Sequence, residues 1–224
     1  GRRQILFNTQ PSVTLRHPPS PSVTLRHTYQ STATYAATVL NYNHLERRPY
    51  YIQYDFAGCC LRAPWIMEKD DFRYTLSFGP DVFGGPRWGE LVGAEKAADH
   101  VSRGTIPIML DPDGEPVKRN FVHLDDLISA IVSALQNPVA ARQETFNICM
   151  DEPVDYREVG AYLSSSRGLP TVEIQTDFHS TWLDNSKAKF LLGWRPEVDL
   201  PTLIDRAWDY QRAAEDPRKI WYPG

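Results

Sequence analysis

The sequence predicts an α/β protein, and two observations support this prediction. Short apolar runs of strand length, at 54–61, 106–110 and 145–150, alternate along the chain with segments of helical periodicity. Such alternation is typical of sheets that are covered by helices. The composition agrees, because 42% hydrophobic and 23% charged residues in a chain of 224 are ordinary for a globular protein with a core.

The first 30 residues contain an identical repeat. The heptapeptide PSVTLRH stands at 11–17 and again at 21–27. Two copies cannot form a solenoid core, so we favour an extended Pro- and Ser-rich tail over a short β-type repeat, and we assign no chemistry to it. The chain begins with Gly1 rather than Met, which suggests a trimmed or truncated sequence.

The first folded segment is predicted to be a helix followed by a buried strand. Residues 31–48 contain neither Gly nor Pro and place Tyr35 and Val39 on one helical face. The helix is expected to end before Pro49, because a residue that precedes proline disfavours the helical conformation. The apolar run at 54–61 then has the length of a buried strand.

The rest of the chain alternates helices, strands and turns. Asp125, Asp155 and Asp184 have the position and chemistry of helix N-caps. In order, the sequence predicts an irregular loop at 65–86, a helix at 87–103, a strand at 106–110, a turn at 111–114, a partner strand at 116–122, a helix from 125, a strand at 145–150, a helix at 156–166, a strand at 172–175, a helix at 184–193 and a last helix from 201.

Several classes of function find no support in the sequence. A net charge of −4 gives no reason to expect nucleic acid or an anionic membrane as partner, and no apolar run approaches the roughly 20 residues of a membrane span. Cys59, Cys60 and Cys149 do not form a disulfide framework, so we expect core packing and a reducing cytoplasm.

Known catalytic and phosphate-binding motifs are also absent from the sequence. It contains no G-x-G-x-x-G, no G-x-x-x-x-G-K-[ST], no G-x-S-x-G and no H-E-x-x-H. The glycine-rich stretch at 79–85 has neither the lysine nor the preceding strand of a phosphate cradle, so a flexible loop is favoured. His123, Asp125 and Asp126 could suggest a metal cluster, but helix capping explains the two aspartates better, and we predict no metal.

Three segments, in this order, resemble one known family. Residues 119–127, RNFVHLDDL, are similar to the R-x-F-x-H-V-x-D-L signature of nucleotide-sugar epimerases and dehydratases. Residues 182–196 resemble that family's D-x-S-K-a-x-x-x-L-G-W-x-P segment, and 207–211 fit its closing helix. The chain therefore resembles, from about residue 31 onward, the C-terminal half of an NAD-dependent epimerase/dehydratase of the extended short-chain dehydrogenase type.

The resemblance implies a catalytic role for Tyr35. In this family a tyrosine followed four residues later by lysine takes a proton from a sugar hydroxyl while the nicotinamide takes the hydride. Tyr35 matches the tyrosine and is also expected to contact the cofactor, but Val39 stands at the lysine position. Valine has neither charge nor donor, so the phenol would be a poor base at neutral pH. The alternative is that Tyr35 is a helix residue that packs on the core.

The resemblance also implies residues that bind ligands. Arg119 matches the arginine that reaches the substrate diphosphate, and a guanidinium fits phosphate oxygens in a bidentate way. Asp177 matches a polar contact to the nucleotide, although Ile174 replaces the arginine that often precedes it. Pro64 and Trp65 follow the strand that flanks the site, so we predict that Pro64 contacts the cofactor, NAD or NADP, and Trp65 the substrate.

These implications combine into one prediction of fold and function. A partial Rossmann-like parallel sheet is expected at 31–64, preceded by the tail at 1–30 and followed by a smaller α/β substrate-binding domain at 65–224. The expected function is an NAD(P)-dependent epimerase, dehydratase or reductase that acts on a nucleotide sugar or a similar hydroxyl-bearing substrate, impaired as given. The alternative is a non-catalytic fragment or pseudoenzyme. An exposed sheet edge predicts aggregation or dimerisation.

Overall fold

The structure, a computed structural model, describes residues 57–79 and 86–216, together with the backbone of 24–28 and 34–40. The strands are β1 Thr24–Thr28, β2 Thr34–Leu40, β3 Gly58–Arg62, β4 Trp65–Met67, β5 Ile106–Leu110, β6 Lys118–Arg119, β7 Phe121–His123, β8 Thr145–Asn147, β9 Val154–Asp155 and β10 Thr171–Gln175. The helices are α1 Asp71–Thr75, α2 Trp88–Val92, α3 Ala94–Arg103, α4 Leu124–Gln136, α5 Pro138–Ala141, α6 Tyr156–Arg167, α7 Ser186–Leu192 and α8 Leu200–Asp209.

The largest sheet has the strand order β1-β2-β3-β8. Strands β2, β3 and β8 are parallel, and β1 is antiparallel to β2. Three two-stranded sheets accompany it: β5 with β10 and β4 with β7 are parallel, whereas β6 with β9 is antiparallel. The predicted α/β class with a parallel sheet is confirmed.

Two clusters of buried apolar residues form the core. The first core cluster includes Phe72, Trp88, Phe121, Tyr156 and Leu203 and contains most of the large aromatic side chains. The second core cluster surrounds β3, β8, α4 and α7 and is rich in small residues. Its fully buried members include Cys59, Leu61, Ala130, Ala134 and Phe146.

The β4–β7 sheet lies between these clusters. Successive residues of a strand point to opposite faces of a sheet. Accordingly Met67 and Phe121 belong to the first core cluster, while Val122 belongs to the second and Ile66 packs against it. Each cluster is built from several segments, and the segments of the two clusters alternate along the chain. The clusters therefore do not mark a boundary at 64/65, and the predicted domain boundary stays a prediction.

The predicted helix at 31–48 is wrong for residues 34–40, which form strand β2. Three β-branched residues, Thr34, Thr38 and Val39, favour a strand over a helix, and β2 pairs in parallel with β3. Residues 41–48 lie outside the described residues, as do 80–85 of the glycine-rich stretch. Strand β1 falls within the predicted tail, whose other residues are likewise outside the description.

Two predictions for 65–103 are corrected. The predicted loop contains strand β4 and helix α1, because tertiary contacts order it: the rings of Phe72 and Phe121 lie 5.3 Å apart, edge to face. The predicted helix at 87–103 breaks at Gly93 into α2 and α3, since Gly93 has φ +87° and ψ 150°, which no helical residue adopts.

The predicted hairpin of 106–110 with 116–122 is wrong, because only a single bridge joins Leu110 to Pro116. Strand β5 pairs instead with β10, while β6 and β7 take different partners on either side of Asn120. The chain therefore turns between Arg119 and Phe121, and this turn positions the candidate site described below.

Helix caps were predicted with mixed success. Asp155 caps α6 as predicted, accepting the Arg157 N–H at 2.8 Å. His123, not Asp125, is the N-cap of α4. Asn185 immediately precedes α7 without a side-chain cap bond, and the Asp184 carboxylate accepts the N–H of Ser186, the first residue of that helix, at 2.8 Å. Among the described residues, no helix is long and apolar enough to cross a membrane.

Candidate functional site

A pocket of about 290 Å³ opens where three chain segments meet. Its lining is mixed: aromatic and aliphatic walls surround one cationic side chain and a few polar groups. The lining residues are Pro64, Trp65, Arg119, Asn120, Phe121, Thr181, Trp182 and Leu183. Three of the predicted site residues are thus brought together: the adjacent Pro64 and Trp65, and Arg119, which stands far from them in the sequence.

Sheet pairing places the first two segments side by side. Strand β4 pairs in parallel with β7, and Trp65 lies opposite Phe121 in the register. Their ring centroids are 6.1 Å apart, in an edge-to-face arrangement. Phe121 is fully buried, so it forms the floor against which the more exposed Trp65 ring is fixed.

Arg119 is the cation of the pocket. Its guanidinium carbon lies 4.6 Å from the ring centroid of Phe178 and 5.4 Å from that of Trp65. Among the described residues, no carboxylate lies within ion-pair distance of this guanidinium. Aromatic faces hold a cation without neutralising it, so the charge of Arg119 stays available to an anionic ligand.

Tyr156 lies close enough to Arg119 for its titration to respond to that charge, but the phenol is unsuited to proton transfer. Burial raises the pKa of Tyr156 to about 12, and the nearby positive charge of Arg119 offsets this only in part. The side chain belongs to the first core cluster. Tyr156 is therefore a core residue and not a candidate base.

Hydrogen bonds hold the third wall segment, 180–183, against β6. The Thr181 N–H donates to the Lys118 carbonyl at 3.0 Å, and the Lys118 N–H donates to the Ser180 hydroxyl at 2.9 Å. The Leu183 N–H donates to the side-chain oxygen of Asn120. Sequence reasoning did not identify Asn120, although it stands inside the 119–127 signature, where its position beside Arg119 was the available signal.

Asp177 is not brought into the pocket. It is exposed and is absent from the lining, although the next residue, Phe178, contacts Arg119. Ile174 is buried in the first core cluster, so its position cannot supply a second contact to the ligand. The predicted base Tyr35 lies in strand β2, and its side chain is outside the described residues.

His123 has a structural environment. Its Nδ1 accepts the Asp125 N–H at 3.2 Å, and the Arg206 guanidinium lies 3.3 Å away. Burial lowers the pKa of His123, and the positive charge of Arg206 adds to this, whereas Asp125 acts in the opposite direction. The buried Asp126 accepts the N–H groups of Glu197 and Val198. Within the described ranges, no group of three His, Cys, Asp or Glu side chains could hold a metal ion.

The sequence resembles a curated enzyme over part of its length. Across 111 residues, which are 47% of this chain and 33% of the relative, it is 32% identical to a UDP-glucose 4-epimerase from Corynebacterium glutamicum. No family model matches the chain. The matched segment thus spans about a third of that curated relative.

A solved structure shares the fold. It is a short-chain dehydrogenase/reductase superfamily protein from Agrobacterium tumefaciens with bound NAD, and it superposes with a TM-score of 0.52 at 20% identity. The superposition covers 68% of this chain and 49% of that one. This likeness shows a shared Rossmann-like α/β fold over the superposed part of the chain.

Together with the curated relative, this fold confirms the resemblance to the NAD-dependent epimerase/dehydratase family that the sequence motifs predicted.

Proposed function

We propose that this chain provides the substrate-binding side of an NAD(P)-dependent epimerase, dehydratase or reductase, and that its substrate is a nucleotide sugar. The observation that carries the proposal is Arg119, an arginine without a carboxylate partner among the described residues, in a pocket with aromatic walls. The curated relative, a UDP-glucose 4-epimerase, supports the same substrate class.

The chemistry of the pocket suits such a ligand. A guanidinium cannot be deprotonated in a protein and matches two phosphate oxygens at once. Trp65 and Trp182 offer flat apolar surfaces, on which a base or a sugar face can stack. We assign Arg119 to the phosphates and the two tryptophans to the flat parts of the ligand. Asp177 is exposed and absent from the pocket lining, so no ligand contact is assigned to it.

The cofactor of the proposed reaction is NAD or NADP, which would accept and return the hydride. Pro64, in the pocket wall after β3, fits a contact to one edge of the cofactor. The sequence has no glycine loop for the cofactor phosphates. We therefore expect this chain to bind a nucleotide sugar more tightly than NAD.

A second candidate is binding without turnover. Val39 occupies the position at which the resemblance calls for lysine, and residues 34–40 form a strand instead of the helix that would carry such a pair. Without a lysine at position 39 to lower its pKa, a phenol at Tyr35 would remain protonated at neutral pH. In this case Arg119 would still bind phosphate while catalysis is lost.

Isothermal titration calorimetry of the purified chain with UDP-glucose, and separately with NAD, tests the proposal. We expect binding of UDP-glucose and weak or no binding of NAD. Arg119→Gln should weaken UDP-glucose binding by about 10- to 100-fold, the range of a charged hydrogen-bonding group. Uridine, which has no phosphate, should bind equally to both forms.

A matched control is available in Arg103→Gln, which removes an exposed arginine that, within the described part of the chain, pairs only with Asp99. It should leave UDP-glucose affinity unchanged. Equal affinity of Arg119→Gln and the parent chain would refute the phosphate assignment. NAD binding would reveal a phosphate site outside the known motifs, and turnover of UDP-glucose with added NAD would exclude the non-catalytic alternative.

A further inference from the structure

The wall of the pocket that carries Trp182 is not fixed by core packing. The Trp182 side chain is 61% exposed, so apolar burial restrains it little. Its two neighbours in the chain are instead held by hydrogen bonds: the Thr181 N–H donates to Lys118, and the Leu183 N–H donates to Asn120. The location of Trp182 therefore depends on its anchored backbone.

Of these two anchors, only one is made by a side chain. The bond from Thr181 uses the Lys118 carbonyl, which any residue at position 118 would supply. The bond from Leu183 requires an acceptor on the side chain of residue 120. Asn120 is 8% exposed, and removal of its amide oxygen would leave the N–H of the half-buried Leu183 without this acceptor.

Asn120 also connects the two sides of the pocket. It stands between Arg119, which is at the end of β6, and Phe121, which begins β7 and lies opposite Trp65. Its amide thus ties the segment at 180–183 to the same turn that carries the cation. Bonds between Lys118 and the segment at 180–181, and bonds from Cys149 and Asn147 to the carbonyls of Leu183 and Asp184, also hold this wall. Asn120 adds the side-chain bond that runs from the turn carrying the cation to the residue after Trp182.

We propose that Asn120 is a positioning residue: its amide oxygen holds the 181–183 segment so that Trp182 and Arg119 can contact one ligand together. The identity of that ligand rests on the proposed function, whereas the anchoring of the 181–183 segment by Asn120 is independent of it. The role requires only an acceptor oxygen at this position, so aspartate should replace asparagine whereas leucine, of similar size, should not.

Three variants of the full chain test this proposal: Asn120→Leu, Asn120→Asp and, as a control, Asn137→Leu. Asn137 is a partly exposed asparagine whose amide bonds the Ser133 carbonyl at the end of α4, away from the pocket lining. Two readouts are used, hydrogen exchange of a peptide covering 180–184 and the affinity for UDP-glucose by calorimetry.

Asn120→Leu should speed exchange of the 180–184 peptide and weaken UDP-glucose binding about tenfold, which is the effect of one lost bond of ordinary strength. Peptides from α6 and β5 should exchange as in the parent chain. Asn120→Asp should match the parent within about twofold in hydrogen exchange, whereas its added negative charge beside Arg119 should itself weaken the binding of the UDP-glucose diphosphate, so this variant is judged by exchange alone. Asn137→Leu should match the parent within about twofold in both readouts.

The outcomes separate this proposal from the function on which it rests. Unchanged exchange at 180–184 in Asn120→Leu overturns the anchoring, whether or not UDP-glucose binds. Faster exchange with unchanged affinity overturns the positioning role. If the parent chain does not bind UDP-glucose, the proposed function fails, and exchange that is fast in Asn120→Leu and normal in Asn120→Asp still supports the anchoring.

Discussion

Two regions of the molecule use arginine in opposite ways. In the pocket, Arg119 lies between aromatic rings and has no carboxylate partner among the described residues. In a second region, which we call the charge network, every cation is paired. The charge network consists of two groups of pairs: Lys69, Asp70, Arg73, Arg212 and Asp216 in one, and Tyr162, Arg167, Asp205 and Asp209 in the other.

The charge network is built around groups that would be costly to leave unpaired. Asp70 is only 1% exposed and pairs with Arg212 and with Arg73. Arg167 contacts the Asp205 carboxylate at 2.8 Å and the Asp209 carboxylate at 2.7 Å, so it joins α6 to α8. Here the positive charges stabilise the fold, because each one neutralises a carboxylate.

The contrast teaches how a functional cation can be distinguished from a structural one. Both kinds are partly buried arginines near aromatic rings, so burial alone does not separate them. The two kinds differ in their partner. A carboxylate neutralises the positive charge of the arginine, whereas an aromatic ring leaves that charge available to a ligand. If this distinction is correct, removal of the charge should affect stability in one region and ligand binding in the other.

The largest expected effect is on stability, in a matched pair of substitutions. Arg212→Gln should lower the free energy of unfolding by about 3 kcal/mol, because it leaves the buried Asp70 carboxylate poorly compensated. Arg119→Gln should change it by only about 1 kcal/mol, the range of the ring contacts it loses. Urea denaturation followed by circular dichroism measures both, and a similar loss in the two variants would remove the distinction.

A smaller loss is expected for Arg167→Gln. Its two carboxylate partners are substantially exposed, and water compensates exposed groups well. The free energy of unfolding should therefore fall by clearly less than in Arg212→Gln, and UDP-glucose affinity should not change. If Arg167→Gln lost as much unfolding free energy as Arg212→Gln, solvent exposure would not determine how much each pair of the charge network contributes to stability.

The smallest expected effect is on the pH dependence of stability. It involves Arg206, which pairs with the Asp125 carboxylate and also contacts His123. Burial lowers the pKa of His123 from its ordinary value of 6.5. The unfolded chain then binds a proton more readily than the native chain, so stability should decrease as the pH falls below 6.5.

His123→Asn tests this contribution, because asparagine can still accept the N–H that His123 caps. The variant should lose less stability than the parent chain between neutral pH and the pH range below the ordinary histidine pKa, as measured by thermal melting. Identical pH profiles would mean that His123 contributes nothing to the acid sensitivity.

The fold was predicted well where local signals agree with tertiary structure. The sequence predicted the alternation of strands and helices, the strands β5 and β10, and the ends of the helices predicted at 156–166 and 184–193. The glycines that follow these two helices, Gly168 and Gly193, adopt the left-handed conformation. The errors lie where long-range contacts decide. Strand β4 and helix α1 are ordered by partners such as Phe121 that are distant in sequence, and no local pattern contains that information.

The candidate site was predicted in part for the same reason. Arg119, Pro64 and Trp65 follow from the motif resemblance and line one pocket. Asn120 and Trp182 were not identified as site residues, because their role depends on the hydrogen bond that joins two distant segments. Spacing along the chain carries no signal for a contact of that kind.

The position of the β4–β7 sheet has a consequence for how the molecule unfolds. Since Phe121 belongs to one core cluster and Val122 to the other, separation of this two-stranded sheet exposes apolar surface on both of its faces at once. At this sheet, loss of packing in one core cluster therefore also disrupts the other cluster. Such coupling is the structural condition for cooperative, all-or-none unfolding. The pocket, which rests on Phe121, should therefore persist until the whole described region unfolds.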